Sequence, residues 1–248
     1  MLPFAIFHRV VLIQWLFIVI FTPHLLLADD RFTVAIDIGH AKTNFGAVSS
    51  RGVPEYKFNY AIANVLLEKI ITNKNIDAFI INPDGEKISL KKRTQIASEK
   101  GADLFISLHH DSVQQKYIGY WKYKQKKNHY SDKFSGYSIF ISNKNRKTED
   151  SYRFATFLGE ELRGYGFTPT LHHAEKIKGE NRKLLDSKKG IYEFDDLVVL
   201  KTAKMPAILL ECGVIVNRKE ELLVKSAGFK EDMSNAIVNA VLKYSRWR

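Results

Sequence analysis

The sequence predicts a single α/β domain built on a mostly parallel sheet with helices on both faces. Three observations carry this. Short β-branched, apolar runs alternate with longer stretches of helical periodicity from residue 32 to the C-terminus. No linker and no internal repeat interrupts the alternation. The chain has 248 residues, of which 45% are hydrophobic, enough for one sizeable core and too few for several.

The first segment stands outside that domain. Residues 1–28 carry one formal charge, Arg9, before the apolar run 10–21; Pro23 breaks the run, and Ala28 precedes Asp29 and Asp30. A basic start, an apolar stretch of about a dozen residues and a small residue before a charged one describe a secretory signal. The run is short for a membrane span, which needs roughly 20 apolar residues. The expected processing is cleavage after Ala28, with residues 29–248 as the exported domain in the periplasm or cell envelope. An uncleaved anchor is the alternative, because Leu26 is not the small residue usually found there.

Within the domain, residues 32–37 (FTVAID) read as a buried strand. Residues 55–71 place Phe58, Ile62, Val65, Leu66 and Ile70 on one helical face, with Glu55 in the first turn. Residues 78–81 form a second strand, and 90–100 a helix stopped by Gly101. Residues 103–108 (DLFISL) and 137–142 (YSIFIS) are the third and fourth strands. The helix at 151–163 turns Ala155, Leu158 and Leu162 inward and ends at Gly164. Residues 207–210 (AILL) are a further buried strand. The last helix, 229–244, presents Met233, Ala236, Ile237, Ala240 and Tyr244 together.

One stretch does not fit this rhythm. Residues 112–134 hold Lys116, Lys122, Lys124, Lys126, Lys127 and Lys133 against the single acid Asp132, with Tyr117, Tyr120, Trp121, Tyr123 and Tyr130 between them. At this length the segment is predicted to be an irregular, mobile surface loop that rims the cleft. Its lysines and aromatic faces suit an acidic peptide or an anionic wall polymer; a merely solvated basic loop is the alternative.

Charge and cysteine content narrow the function. Lys and Arg number 38 against 27 Asp and Glu, a formal net charge of +11 that favours a polyanionic partner. An exported chain rarely meets chromosomal DNA and no nucleic-acid recognition motif is present, so the expected partner is an envelope polymer rather than nucleic acid. The single cysteine, Cys212, excludes an intrachain disulfide and an all-thiolate zinc site. It reads as a small packed residue.

In open α/β sheets ligands gather beyond the carboxyl ends of strands. His40 follows the first strand through Ile38 and Gly39, His109 follows the third, Glu211 follows AILL, and Glu55 opens the first helix. Two imidazoles and one carboxylate with an open position suit catalytic zinc. A further carboxylate can then handle the proton of an activated water. His40, Glu55 and His109 fill the ligand set and leave Glu211 for that work. Spacing alone leaves a plainer alternative, in which the histidines simply end strands and Glu55 complements a helix dipole.

The motif context bears on that choice. Val34-Ala35-Ile36-Asp37-Ile38-Gly39-His40, then Gly46-Ala47, Gly52 and Glu55, resembles the opening of the zinc-dependent N-acetylmuramoyl-L-alanine amidases, the family of the bacterial cell-separation amidases. The resemblance continues through Leu90, Arg93, Ile96-Ala97 and residues 101–109. It resumes at Val199-Leu200-Lys201, residues 205–213 and Asn217, and so covers nearly the whole exported chain in order. It implies a six-stranded sheet, zinc on His40, Glu55 and His109, and Glu211 as catalytic carboxylate. It further implies peptidoglycan as substrate, cut at the amide between the lactyl group of N-acetylmuramic acid and L-alanine.

The chain departs from the family pattern at Ile81-Asn82-Pro83, at His109-His110-Asp111 and at Cys212-Gly213-Val214. None removes a ligand, so the departures bear on substrate detail. A helix follows the fourth strand almost at once, where the separation amidases carry an inhibitory helical insert.

Other polar residues have expectations of their own. Asp37 is either an acceptor orienting a ligand histidine or a structural strand end. Arg93 is a salt-bridging buttress, and His110 faces away from His109 in a structural role. His172, His173 and Glu175 read chiefly as a solvated loop, with substrate contact and a second metal as alternatives. The competing functions are a catalytically silent wall-binding module, a zinc peptidase of stem peptides and a basic nucleic-acid binder.

Overall fold

The computed structural model describes residues 31–248; the proposed signal and its cleavage point lie outside the described residues. Strand β1 (Phe32–Ile38) leads into helix α1 (Glu55–Ile70), then β2 (Ile76–Ile80), α2 (Leu90–Glu99) and β3 (Leu104–Asp111). A hairpin of β4 (Gly119–Tyr123) and β5 (Lys126–Tyr130) comes next, followed by β6 (Ser138–Ile141) and α3 (Thr148–Gly164). After β7 (Lys183–Asp186) and β8 (Ile191–Glu193) come α4 (Val198–Thr202), β9 (Ala207–Val214), α5 (Glu220–Lys225) and α6 (Ala227–Trp247). Among the described residues no helix is long and apolar enough to cross a membrane.

The main sheet has seven strands in the order β2-β1-β3-β9-β6-β8-β7, one more than the six expected. β2, β1, β3 and β9 run parallel, β6 pairs antiparallel to β9, and β8 pairs parallel to β6. The strands β7 and β8 were not legible in sequence. They are four and three residues long, too short to establish a period, and they hold together as an antiparallel pair on β6.

Alternation along the central strands divides the core into two layers. Val34, Ile36, Ile38, Leu104, Ile106 and Leu108 pack with Ile62, Leu66, Phe154, Leu158, Met233 and Ile237 of α1, α3 and α6. Ala35, Phe105, Phe140 and Leu209 pack on the other face with Ala97 of α2 and Leu200 of α4. Fully burying one such large side chain stabilises the fold by ~1.5–3 kcal/mol. Two helices, α2 and α6, start where the sequence supplies a cap: Ser89 Oγ accepts from Lys92 N–H at 3.2 Å, and Ser226 Oγ from Phe229 N–H at 3.1 Å.

Two expectations about strands are corrected. β3 and β9 do not stop at residues 108 and 210 but run on to Asp111 and Val214, with His109 in register opposite Glu211. Polar side chains ended the apolar pattern, while the main-chain ladder continued. The segment 112–134 is also not irregular, since most of it is the β4–β5 hairpin, with register pairs from Gly119–Tyr130 to Tyr123–Lys126. Trp121 Nε1 donates to Ser50 O at 2.7 Å, and Arg51 and Arg218 lie over its ring at 5.2 and 5.3 Å. The aromatic residues thus partly serve to pin the hairpin to the domain.

Candidate active site and metal centre

The site is assembled toward the carboxyl ends of β1, β3 and β9, on the same edge of the sheet. Gly39 leaves β1 and donates its N–H to Leu108 O at 2.9 Å. His40 then adopts φ +68°, a left-handed conformation that costs a non-glycine residue roughly 1–2 kcal/mol. Arg93 holds it there. Its guanidinium donates to His40 O at 2.6 Å, to Ile38 O at 2.5 Å and to Asp37 Oδ1 at 2.6 Å. Asp37 Oδ2 accepts from Ser107 Oγ at 2.7 Å. Asp37 therefore anchors Arg93 and, among the described residues, accepts from no histidine; Arg93 is the buttress expected of it.

Glu55 opens α1 with its carboxylate between two imidazoles. Oε2 lies 2.9 Å from His40 Nε2, and Oε1 lies 3.0 Å from His109 Nδ1. Ala47 N–H donates to Oε2 at 2.9 Å and Asn59 Nδ2 to Oε1 at 3.1 Å. Burial would raise the Glu55 carboxyl, but hydrogen bonds and charge from His109 and His40 overcome it and hold the group well below the usual carboxylate range. The ligand-capable atoms of His40, Glu55 and His109 all lie within 4.8 Å of one another. Two glycines make room. A Cβ on Gly39 would collide with the His109 ring, and one on Gly46, whose φ is +76°, with Glu55 and His40.

Glu211 stands beside this group on β9. Its Oε2 is buried and has no hydrogen-bond partner among the described residues. Burial, reinforced by the charges of Asp111 and Glu55, pushes its carboxyl well above the ordinary value. Two adjoining clefts of about 420 and 320 Å³ share His40, His109, Leu197 and Leu209, and Glu211 lines the second. A roomier depression of about 640 Å³ lies against α3 and contains none of these residues. No residue of the 112–134 segment lines either cleft, so the hairpin does not rim the site as expected.

These donors fit a divalent ion such as zinc. Neutral imidazole nitrogens and one carboxylate oxygen are the right donor types, and the unpartnered Glu211 oxygen is a polar group awaiting something in the cleft.

A family model described as N-acetylmuramoyl-L-alanine amidase matches residues 34–243. The chain belongs to this family. Among its relatives, the N-acetylmuramoyl-L-alanine amidase AmiA of Escherichia coli K12 is 30% identical, the alignment covering 89% of this chain and 78% of AmiA. AmiA of Salmonella typhimurium is 28% identical over 86% of this chain and 76% of its own. Among solved structures, the amidase Ami1 of Mycobacterium smegmatis superposes with a TM-score of 0.68 at 17% identity, covering 89% of this chain and all of its own. An amidase of Clostridium difficile 630 gives 0.67 at 23% identity, covering 88% and 98%. At these identities the structures establish the α/β fold, and the family match establishes the membership.

The remaining polar candidates are placed by the same geometry. His110 faces α1, where Nδ1 lies 2.8 Å from Asn59 Oδ1 and burial pulls its pKa down to about 4; its role is structural, as expected. Cys212 is buried in the α1-side core, which pushes its thiol well above the ordinary value and suits packing rather than nucleophilic work. His172 and His173 are not on a solvated loop. They are buried against Asp111, while Glu175 turns away to accept from Tyr117 Oη at 2.8 Å.

Sequence reasoning missed Asp111, Glu180 and Arg182 as residues of this region. Glu180, Arg182 and His173 line the cleft with Glu211. For Asp111 the signal was present, since residues 109 and 111 of one strand share a face. Ending the strand at 108 concealed it.

Proposed function

We propose that this chain is an exported zinc amidase that hydrolyses the bond between the lactyl group of N-acetylmuramic acid and L-alanine in peptidoglycan. One observation carries the reading: His40, Glu55 and His109 bring their donor atoms within 4.8 Å of one another beside the unpartnered Glu211 oxygen. Membership in the amidase family selects the bond.

Zinc held there would supply Lewis acidity, which makes a carbonyl more electrophilic and an attacking water more acidic. The chain's own residues do the rest. His40, Glu55 and His109 hold the ion, and Arg93 keeps the strained His40 backbone in place. Glu211 Oε2 accepts the proton of the attacking water and delivers it to the departing L-alanine nitrogen. Leu197 and Leu209 line both clefts and restrict water on either side of the reacting centre.

The deciding experiment is mass spectrometry of peptidoglycan digested with zinc, with chelator, or with the Glu211→Gln variant. Free stem peptides beginning at L-alanine, released only by the zinc-loaded wild type, are expected. Cut peptides still attached to sugar would replace the bond, and intact walls in every arm would favour a binding module.

Export rests on residues 1–28, and N-terminal sequencing of secreted protein should begin at Asp29. Contact with an anionic wall polymer falls to the lysines of 112–134. Replacing all six with alanine should weaken low-salt wall binding in a pelleting assay; unchanged binding would dispose of that role.

A further inference from the structure

Asp111 lies two residues beyond His109 on β3, and a short turn at residues His172–Ala174 crosses it. Nε2 of His172 is 3.1 Å and Nε2 of His173 is 3.0 Å from Asp111 Oδ2. At that separation the three atoms attract one another, yet among the described residues none meets both the distance and the angle of a well-formed hydrogen bond. The ring nitrogens approach the oxygen without aiming N–H groups at it. That is how donor atoms stand when they share a point between them.

The opposite ring nitrogens are occupied. His172 Nδ1 is 2.7 Å from Thr170 Oγ1, and His173 Nδ1 is 2.9 Å from Glu180 Oε2. Glu180 is itself held by Gln114 Nε2, which donates to Oε1 at 2.8 Å. Metal-binding imidazoles are fixed in this way, one nitrogen held by an outer oxygen and the other left for the ion.

The surroundings are largely closed, with only the His173 and Glu180 side bordering the cleft. The His172 and His173 side chains are 1% and 9% exposed. Phe134 stacks on His172 with centroids 4.8 Å apart, and Phe140 meets His173 edge-on at 4.9 Å. Two carboxylates, Asp111 and Glu180, are sequestered here, a charge that one divalent cation would neutralise. Burying such charges uncompensated is costly.

We propose that Asp111, His172 and His173 form a second divalent-cation site, separate from the His40, Glu55 and His109 group, taking zinc or another ion that imidazole and carboxylate select. The ion ties the 171–182 segment to β3. It thereby sets the cleft wall made by His173, Glu180 and Arg182. The two groups share no residue, so this assignment does not depend on the first.

The test is metal stoichiometry. The full chain is stripped with chelator and titrated with Zn2+, and bound metal per chain is read by plasma mass spectrometry. Two equivalents are expected for wild type and one each for Asp111→Asn and His40→Ala. In Co2+-loaded His40→Ala, the visible absorption of a nitrogen-ligated ion should persist and disappear on adding His172→Gln. Thr170→Val removes no ligand and keeps the turn, so it serves if the histidine variant does not fold; it should weaken the second equivalent by about 10–100-fold. One equivalent in wild type that survives His40→Ala and is lost in Asp111→Asn keeps this site and removes the other. Asp111→Asn and Thr170→Val proteins that bind as much metal as wild type, with equal affinity, overturn the proposal. They leave a protonated His173 paired with Asp111 and Glu180 instead.

Discussion

Two histidine–carboxylate groups flank Glu211, and they use the same donor types in opposite settings. In the His40, Glu55 and His109 group the imidazole side chains are 28% and 18% exposed to the cleft. One buried carboxylate serves both rings, and strained backbone and glycines make the fit. The Asp111, His172 and His173 group is enclosed by aromatic rings, and each imidazole has its own outer partner. Access separates the two. A substrate carbonyl can reach the first group, whereas the second meets the cleft only through His173 and its partner Glu180.

The largest expected effect tests the open group. Glu211→Gln should lower the amidase rate by ~10²–10⁴ while leaving both metal equivalents bound. Turnover near wild type in a fully loaded variant would remove Glu211 from proton transfer and blur the distinction between the groups.

Arg93→Ala attacks the support of the open group alone. It leaves Asp37 buried without its ion pair, a loss of ~3–5 kcal/mol. At ~2–4 °C per kcal/mol for a domain of this size, the melting temperature should fall by roughly 6 °C or more. The Asp111 equivalent should still bind, and its loss would show that the groups do not stand independently.

Glu220 borders the closed group, accepting from Gly136 and Val214 N–H at 2.7 and 2.9 Å. Burial outweighs those bonds and raises its pKa from 4.5 to about 7. A raised carboxyl binds more protons folded than unfolded between those values. Its stabilising contribution is therefore complete below pH 4.5 and is lost as pH rises to about 7, a change of about 3 kcal/mol. The stability of wild type relative to Glu220→Gln, followed by denaturant unfolding, should fall across that interval. A rise would mean that the two backbone bonds dominate.

Gly46→Ala should have the smallest effect on stability, ~1–2 kcal/mol for the left-handed backbone. Its collision with Glu55 and His40 should weaken the first metal equivalent and spare the second. Calorimetric titration separates the two, and equal weakening of both would break the contrast.

The two groups also differ in how legible they were. His40, Glu55 and His109 stand in motifs whose glycines have a physical reason, since Gly39 and Gly46 leave space that the imidazoles and Glu55 fill. His172, His173 and Glu180 come from a segment that carries no period, and Asp111 from the polar end of β3, past its apolar run. A cluster was suspected around His172 and His173, but with Glu175 rather than Asp111. Residue spacing offers no measure of which carboxylate a turn will meet across the sheet.

The sequence by itself determined the α/β alternation, the amphipathic faces of α1, α3 and α6, the placement of His40 just past β1 and of Glu55 at the head of α1, and the position of His109 and Glu211 directly after their apolar runs. These follow from periodicity and motif, which are local in the chain. The tertiary structure decided that β3 and β9 continue past their apolar runs, that β7 and β8 add to the sheet, and that residues 112–134 fold largely as a hairpin. It also decided the burial of His172 and His173 against Asp111. Each of these depends on main-chain pairing or charge burial between residues far apart in sequence, where hydrogen bonding rather than hydrophobic pattern sets the outcome.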